Sequence, residues 1–143
     1  MNIEILGADK SDRDFILAAN KEIDQVSGIE SSDLSKNLDL DFYEKHLCEI
    51  LIAKVDGVRA GMALFGRVYW ADRGQGVYLS QMFVEGSFRQ QGVFKTLLKA
   101  VFDFYPETQF VCCLVGKDNF VMQKCVDKME FEGEKVLSFV KNK

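Results

Sequence analysis

The sequence contains one histidine and four cysteines among its 143 residues, and no two cysteines form a Cys-x-x-Cys pair. Cys112 and Cys113 are adjacent, so on a strand they would point to opposite faces, and Cys48 and Cys125 are distant in sequence. Structural zinc sites need closely spaced cysteines and histidines, which His46 alone does not supply. We therefore expect no metal site and four reduced cysteines packed in the core.

Long apolar segments are also absent. The longest plainly apolar run, FVCCLV at residues 110–115, is far too short to span a bilayer, and the stretch MNIEILGADK lacks an apolar core of signal-peptide length. A net charge of −4, with no basic stripe interleaved with aromatic residues, argues against nucleic-acid binding. The same charge is compatible with a cationic small substrate. We predict a cytoplasmic protein with neither a membrane anchor nor a nucleic-acid partner.

The composition is that of a folded protein, because 48% of the residues are apolar and 28% are charged. No repeat, linker or low-complexity segment divides the chain. A chain of this length buries roughly two-thirds of the surface that its unfolded form exposes. Residues 1–143 are therefore predicted to form a single domain.

The first part of the chain predicts a short strand followed by a helix. The strand covers residues 3–6. The helix is expected to begin near Ser11, with a capping hydroxyl there and a carboxylate at Asp14, and to end at Gly28. Its apolar stripe has helical spacing and consists of Phe15, Ile16, Ala19, Ile23 and Val26.

The remaining patterns complete a mixed sheet with helices on its faces. Residues 30–47 are more polar and predict a loop with a second helix. The strands CEILIAKV and VRAGMALFGRVYW follow, joined by an Asp56-Gly57 hairpin turn. Next come a loop at residues 71–76, the strand VYLSQMFV and the helix GVFKTLLKAVFDFY. Pro106 ends this helix. The last elements are a buried strand QFVCCLV, a helix at 119–129 and one or two closing strands at 131–140. The complete predicted order is β-α-α-β-β-β-α-β-α-β.

An Arg-x-x-Gly pattern occurs twice, once with Arg73 and Gly76 and once with Arg89 and Gly92. A loop that binds phosphate works best between a strand and a helix, because the first N–H groups of a helix lack internal partners and its dipole attracts an anion. The first copy is followed by a strand, so its glycines are predicted to serve turn geometry. The second copy precedes the strongly amphipathic helix. Residues 89–95 are therefore predicted to be the phosphate cradle.

The chain combines a strand, an Arg-x-x-Gly loop and a helix, and a buried strand and a helix that opens with Asn119 follow them. This order resembles the GNAT superfamily of acetyl-CoA-dependent N-acetyltransferases. The resemblance covers nearly the whole chain in element order, and its local core is YLSQMFVEGSFRQQGVFKTLL plus NFVMQKCVDKMEF. It implies an α/β (α+β) fold with a mixed, mostly antiparallel central sheet, splayed at the cofactor cleft, and helices on both faces. Within the superfamily, GMALFGRVYW…GVYLSQMFVEGSFRQQG is similar to diamine acetyltransferases.

The resemblance implies that acetyl-CoA is the cosubstrate and assigns residues to it. Backbone N–H groups of the cradle would hold the pyrophosphate, and backbone groups of Met82 and Val84 would pair with the pantetheine arm. A backbone N–H near Phe83 would polarise the thioester carbonyl and stabilise the oxyanion, beside a bulge in the strand. Asn119 would steady the cofactor, cap its own helix, or do both. The cradle residues are Arg89, Gln90, Gln91, Gly92, Val93, Phe94 and Lys95.

Three positions depart from the family pattern. Phe94 stands where Gly or Ala is usual, and its place on the helical stripe directs its ring to the core. Val126 stands where a Tyr usually protonates the departing thiolate, and Glu130 replaces a usual Gly. Cys125 lies about a hundred degrees around the helix from Val126 and is interpreted as a core residue.

The general base is not evident from the sequence. Ser80 and Gln81 are polar residues in an otherwise apolar strand, where they could line the acceptor site or order a water. Glu85 is the nearest carboxylate and is either a base or a solvated loop acid. Five acids within residues 30–44 form either a solvated helix face or an attractor for an ammonium group. They are Glu30, Asp33, Asp39, Asp41 and Glu44.

Three functions follow from these alternatives. The first is direct acetyl transfer to a primary amine, either polyamine-like or amino-acid-like, without an acyl-enzyme, since no Ser-His-Asp arrangement or G-x-S-x-G motif is present. The second is a non-catalytic CoA-binding or regulatory module, which Val126 favours. The third is a protein-interaction domain that retains only the fold. The closing strands would leave an exposed edge, which makes a homodimer plausible.

Overall fold

The computed structural model describes residues 1–27, 48–116, 119–129 and 131, and these residues form a sheet flanked by helices. The strands are β1 (Ile3–Gly7), β2 (Glu49–Val55), β3 (Val58–Trp70), β4 (Gly74–Val84) and β5 (Phe110–Cys113). The helices are α1 (Arg13–Ser27), α2 (Val93–Phe104) and α3 (Phe120–Lys128), with 3₁₀ turns at Lys10–Asp12 and Gly86–Phe88.

The five described strands lie in sequence order, β1-β2-β3-β4-β5, in one sheet. Neighbouring strands run antiparallel except β4 and β5, which are parallel. Asp56 and Gly57 both have positive φ, 48° and 82°, at the β2–β3 turn. This is the backbone that a tight hairpin with matching twist requires, so the predicted turn is confirmed.

The sheet has an apolar core on each face. On one face, β-strand side chains pack with the buried residues of α2, Val93, Leu97, Leu98 and Val101. On the other face, Ile16 and Ala19 of α1 pack with Ile52, Met62 and Phe83. The predicted mixed, mostly antiparallel sheet with helices on both faces is confirmed.

The start of α1 differs from the prediction. Asp9, not Ser11, caps the preceding 3₁₀ turn, since its carboxylate accepts a hydrogen bond from the Ser11 N–H at 2.7 Å. The Asp12 carboxylate accepts the Asp9 N–H at 2.9 Å and is held by Arg59 Nε at 2.6 Å. The carboxylates of Asp9 and Asp12 therefore provide the capping that the sequence assigned to the Ser11 hydroxyl and the Asp14 carboxylate. The predicted stripe is also too long, because Val26 is 46% exposed.

Two strand boundaries also differ. The loop expected at residues 71–76 is shorter, because β4 already begins at Gly74. The strand expected at 109–115 is Phe110–Cys113, and its residues are half-buried, not fully buried. The helix end at Gly28, the loop and second helix at 30–47, the acidic residues there and the closing strands after Phe131 lie outside the described residues.

Candidate cofactor cleft

The first Arg-x-x-Gly copy lies at the β3–β4 hairpin, as predicted, but its two glycines have different roles. Gly74 has a φ of 82° and belongs to the turn. Gly76 lies within β4 opposite Phe110 of β5, and a Cβ on Gly76 would lie 2.4 Å from the Phe110 ring. Gly76 is therefore required by the packing of an aromatic ring, which corrects its assignment to turn geometry.

The second copy connects β4 to α2. Gln90 and Gly92 both adopt left-handed backbone, with φ of 61° and 85°, and Gly92 is the N-cap of α2. Because Gly92 has no side chain to accept the N–H groups of the first turn, these groups lack the usual side-chain cap. A Cβ on Gly92 would meet no atom within 4 Å, so the space beside the Gly92 Cα is open. This geometry suits an anion.

Arg89 braces the cradle through its side chain. Its Nε donates to the Val84 carbonyl at 2.9 Å, and its Nη2 pairs with Glu22 of α1 at 3.0 Å. The guanidinium thus ties the loop to the end of β4 and to α1. In the predicted cradle the groups open to an anion are backbone N–H groups, and the contacts of Arg89 hold the loop that carries them.

A bulge at Ser80 opens the sheet. The β3–β4 register shifts so that Leu64 opposes Gln81 and Phe65 opposes Leu79, which leaves Ser80 as the extra residue. The β4–β5 pairing ends at the same point, at Leu79 and Cys113. Beyond it β4 continues to Val84 without β5 beside it, which produces the predicted splay. Ser80 itself is exposed, although the sequence suggested a buried position.

The register of β3 and β4 determines which backbone groups face the splayed edge. The Glu85 N–H donates to the Ala60 carbonyl, and backbone groups alternate in direction along an antiparallel strand. The N–H of Phe83, opposite Met62, therefore points to β3, whereas those of Met82 and Val84 point away from it. The expected use of Met82 and Val84 fits this geometry, whereas Phe83, near which the oxyanion donor was expected, directs its own N–H to β3.

A narrow cavity of about 40 Å³ lies between the splayed strands and α3. Phe94 lines it and packs against the α2-side core, as its position on the helical stripe suggested. Val126 and Met122 line it from α3. Val126 thus occupies a position from which a longer polar side chain could reach the cleft. Cys125 is half-buried, which corrects its assignment to the core.

Cys113, the cysteine that lines the cavity, is not activated. All four cysteines of the chain are free thiols, and each is half-buried. Cys113 lines the cavity, and desolvation by burial raises the pKa of its thiol. A raised pKa lowers the thiolate fraction near neutral pH, so Cys113 is a poor nucleophile.

Asn119 caps α3, as the sequence allowed. Its Oδ1 accepts a hydrogen bond from the Met122 N–H at 3.1 Å. The cap uses the carbonyl oxygen of the side chain and leaves Nδ2 as a donor directed elsewhere. Capping and a contact to the cofactor are thus compatible in one side chain.

Glu85 is a weak candidate for the general base. Its carboxylate accepts hydrogen bonds from the Ser87 hydroxyl and, at 3.0 Å, from the Ser87 N–H. The hydrogen bond from the Ser87 side chain is the main cause that lowers the pKa of Glu85. A lower pKa makes the carboxylate a poorer proton acceptor, and its capping role accounts for its position.

Gln81 takes part in a polar cluster that the sequence did not reveal. Its Nε2 donates to Oδ1 of Asn20, and Asn20 Nδ2 donates to Asp24 Oδ2 at 3.3 Å. Asn20 and Asp24 are 3% and 8% exposed on the sheet-facing side of α1. The signal was present in the helical spacing, since both follow Ile16 at intervals of four.

Other site types find no support among the described ranges. No group of three or more His, Cys, Asp or Glu side chains comes together there as a metal site. None of the helices in these ranges is long and apolar enough to cross a membrane.

Comparison with known proteins identifies the family. The profile described as the Acetyltransferase (GNAT) family matches residues 17–131. The chain therefore belongs to the GNAT acetyltransferase family. A sequence search of curated proteins found no match.

Several solved structures with the same fold are described as acetyltransferases, some of them as predicted or possible ones. A predicted acetyltransferase from Clostridium acetobutylicum, crystallised with acetyl-CoA, has a TM-score of 0.77 and 18% identity over 98% of this chain and 96% of that one. A possible acetyltransferase from Clostridium difficile has a TM-score of 0.79 and 15% identity, with 99% and 98% covered. The aminoglycoside N-acetyltransferase AAC(6')-Iy, in complex with the bisubstrate analogue CoA-S-monomethyl-acetylneamine, has a TM-score of 0.75 and 24% identity, with 99% of both chains covered. These identities establish the fold, and the narrower similarity to diamine acetyltransferases is not confirmed.

Proposed function

We propose that this protein transfers an acetyl group directly from acetyl-CoA to a primary amine. The observation that carries the proposal is the combination of an uncapped helix N-terminus at Gly92 with a splayed strand edge at Met82 and Val84. The first suits a pyrophosphate, and the second suits an extended arm that carries amide groups. Family membership and the CoA complexes of the similar structures support the same cosubstrate.

The chain offers a distinct group for each part of the cosubstrate. Backbone N–H groups of residues 91–95 would bind the pyrophosphate, with Gln90 and Arg89 shaping the loop. Backbone groups of Met82 and Val84 would pair with the pantetheine arm, and Asn119 Nδ2 would donate across the cleft. The cosubstrate supplies the activated acetyl thioester. We assign oxyanion stabilisation to the outward-facing N–H of Met82, next to the bulge.

Catalysis in this site would depend mainly on position. Holding the amine against the thioester and stabilising the oxyanion supply most of the rate in such a reaction. Val126 provides no proton for the departing thiolate, but a thiolate is a stable leaving group and acid assistance is typically worth ~10²–10⁴-fold. Turnover without an acid is therefore reasonable. Ser80 and Gln81 lie where the splay begins and would line the acceptor side.

The acceptor is proposed to be a small cationic amine. The net charge of −4 favours it, and AAC(6')-Iy, which shares the fold, forms a complex with a bisubstrate analogue that contains an acetylated aminoglycoside fragment. Spermidine and aminoglycosides represent two such amines. A non-catalytic CoA-binding module is the second candidate function, favoured by the apolar Val126 in the cleft.

A thermal-shift measurement with acetyl-CoA tests the cofactor site. At a hundred times its dissociation constant, a ligand stabilises the folded state by roughly 2.7 kcal/mol, which is about 5–10 °C for a domain near this size. We expect this shift in the wild-type protein and its loss in Gly92→Glu, because a carboxylate would occupy the open space of the anion site.

Gly57→Glu is the matched control. Gly57 also has a positive φ, of 82°, and open space around it, but it lies in the β2–β3 hairpin. This variant should keep the acetyl-CoA shift although it carries a similar backbone strain. An unchanged shift in Gly92→Glu would refute the cradle assignment.

A further inference from the structure

A line of polar side chains crosses the otherwise apolar interface between α1 and the sheet. The interface is built from Ile16, Ala19, Met62 and Phe83 and similar residues, yet Asn20 and Asp24 are buried within it. A buried amide and a buried carboxylate in such surroundings are costly unless they are paired. Their hydrogen bonds lead from α1 to Gln81 of β4, immediately after the bulge.

The carboxylate at one end determines the direction of every hydrogen bond in the line. Asp24 Oδ2 accepts from Asn20 Nδ2, so Asn20 turns its NH₂ toward Asp24 and its oxygen toward Gln81. Gln81 must then turn its own NH₂ toward Asn20. The Oε1 atom of Gln81 is left as the free end of the line.

The free oxygen is buried and has no hydrogen-bond partner among the described residues. A buried acceptor without a donor is unfavourable, so an arriving N–H group would gain a hydrogen bond and also relieve this cost. Gln81 is at the same time among the residues that line the cavity beside the splayed edge. Gln81 thus offers an unpaired buried acceptor at the point where the sheet opens.

We propose that Gln81 Oε1 accepts an N–H of the primary amine substrate, and that Asn20 and Asp24 are positioning residues that aim it. This inference rests on the proposed function and specifies its amine subsite. A neutral amide oxygen suits this task better than a carboxylate. It holds the amine without strongly favouring the protonated form, whose nitrogen lone pair is not available for attack.

The test is a calorimetric titration of spermidine and of sisomicin into the protein, with and without CoA. Gln81→Met should weaken amine binding about tenfold or more, because a hydrogen bond to a charged or strongly polar group is lost. Asp24→Asn should weaken it several-fold, because the isosteric amide no longer fixes the direction of the line. Acetyl-CoA affinity should stay within twofold in both variants.

A double variant separates positioning from a general structural effect. If Asp24 acts through Gln81, Asp24→Asn should cause no further loss of amine affinity in the Gln81→Met background. Asp12→Asn is the control, since it removes another buried carboxylate near the same helix, held by Arg59 on the far side of the α1 start. It should leave amine affinity unchanged.

Gln81→Glu gives a second readout that a structural role would not produce. The new carboxylate should bind the ammonium form more tightly and raise the apparent pKa of the bound amine. The rise of kcat with pH, which reports the ionisation of the bound amine, should then move to higher pH, with a lower KM and a lower kcat near neutrality.

Three results would overturn the amine subsite. These are unchanged amine affinity in Gln81→Met, additive losses in the double variant, and a wild-type protein that binds CoA but neither amine. A wild-type protein that does not bind CoA would instead refute the proposed function, and the amine titration without CoA would still decide the role of Gln81.

Discussion

Single residues in this chain are constrained by what lies opposite them, and Gly76 is the clearest case. It belongs to an Arg-x-x-Gly pattern that looks identical in type to the cradle, yet its hydrogen atom faces the Phe110 ring across the β4–β5 pair. The ring also packs against Trp70, with centroids 4.9 Å apart. The short parallel pairing of β5 therefore depends on a position without a side chain.

Gly76→Ala is expected to destabilise the fold. The new Cβ would lie 2.4 Å from ring atoms of Phe110, so the ring and part of β5 must move. Overpacking of this kind costs ~1–3 kcal/mol, which urea unfolding measures directly. Gly7→Ala is the matched control, because Gly7 is also a strand glycine but a Cβ there meets no atom within 4 Å. Equal unfolding free energies for the two variants would contradict the steric role of Gly76.

At the scale of elements, the sequence predicts features that depend on one segment better than features that depend on contacts between segments. The strand Val58–Trp70, the Asp56-Gly57 turn and the cap of α3 by Asn119 follow from local propensity and spacing, and the structure confirms them. The bulge at Ser80 is different, because it arises from a mismatch between β3 and β4. The extra residue shifts the alternation of side chains along β4 by one position. Leu79 and Met82 therefore lie on the same face of the sheet, while Gln81 contacts α1. Strict alternation along β4 could not predict this.

The candidate site shows the same division. The predicted cradle is a local signal, an Arg-x-x-Gly loop before an amphipathic helix, and the structure confirms the loop and the helix at these residues. Asn20 and Asp24 were missed because a polar residue on an apolar stripe is usually interpreted as the edge of the stripe. Their partner Gln81 is 61 residues from Asn20 in sequence, and this contact exists only in the folded chain.

A substitution in α3, which faces β4 across the cleft, tests the role of the general acid that Val126 cannot supply. Val126→Tyr would place a phenol in the cavity that Val126 lines. We expect turnover of spermidine or sisomicin to rise up to ~10²-fold, the low end for general acid assistance, because a thiolate leaves readily without help. Release of free thiol gives the rate. Cys125→Tyr is the control, since the same side chain would then lie about 100° around the helix.

The result also separates the two candidate functions. Substantial turnover by the wild-type protein would exclude the non-catalytic module. A gain that appears in Val126→Tyr from a wild-type rate of zero would mean that the site lacks only its acid. No turnover in either protein, together with a clear acetyl-CoA shift, would favour the CoA-binding module.

At the scale of the whole molecule, α1 connects the two halves of the proposed site. Asp24 is hydrogen-bonded to Asn20, which contacts Gln81 on the proposed amine side. Glu22, two residues before Asp24, pairs with Arg89 of the predicted cradle. The helix therefore carries a buried interaction toward the proposed amine side and a half-exposed one toward the proposed cradle. The two should respond differently to salt, because solvent screens exposed charges much more than buried ones.

Glu22→Gln tests this connection, and two effects oppose each other in it. Loss of the ion pair removes part of the bracing of Arg89, but both side chains are 45–46% exposed, so the pair contributes at most ~1 kcal/mol. Removal of the Glu22 charge also lessens repulsion of a polyanionic ligand and frees one face of the guanidinium, while Arg89 Nε still holds the Val84 carbonyl. We expect the second effect to prevail and acetyl-CoA to bind about 2–5-fold more tightly at low salt.

The salt dependence distinguishes charge from shape. At 1 M salt the Debye length falls to about 3 Å, so the gain from Glu22→Gln should disappear. Glu107→Gln is the control, since Glu107 forms a comparable surface pair with Arg67 at 2.9 Å, remote from the cradle in the fold. Weaker acetyl-CoA binding by Glu22→Gln at every salt concentration would show instead that the ion pair acts by holding the loop in shape. In that case α1 would support both substrates through geometry alone, and a change of amine affinity in Asp24→Asn should then be accompanied by a change of acetyl-CoA affinity.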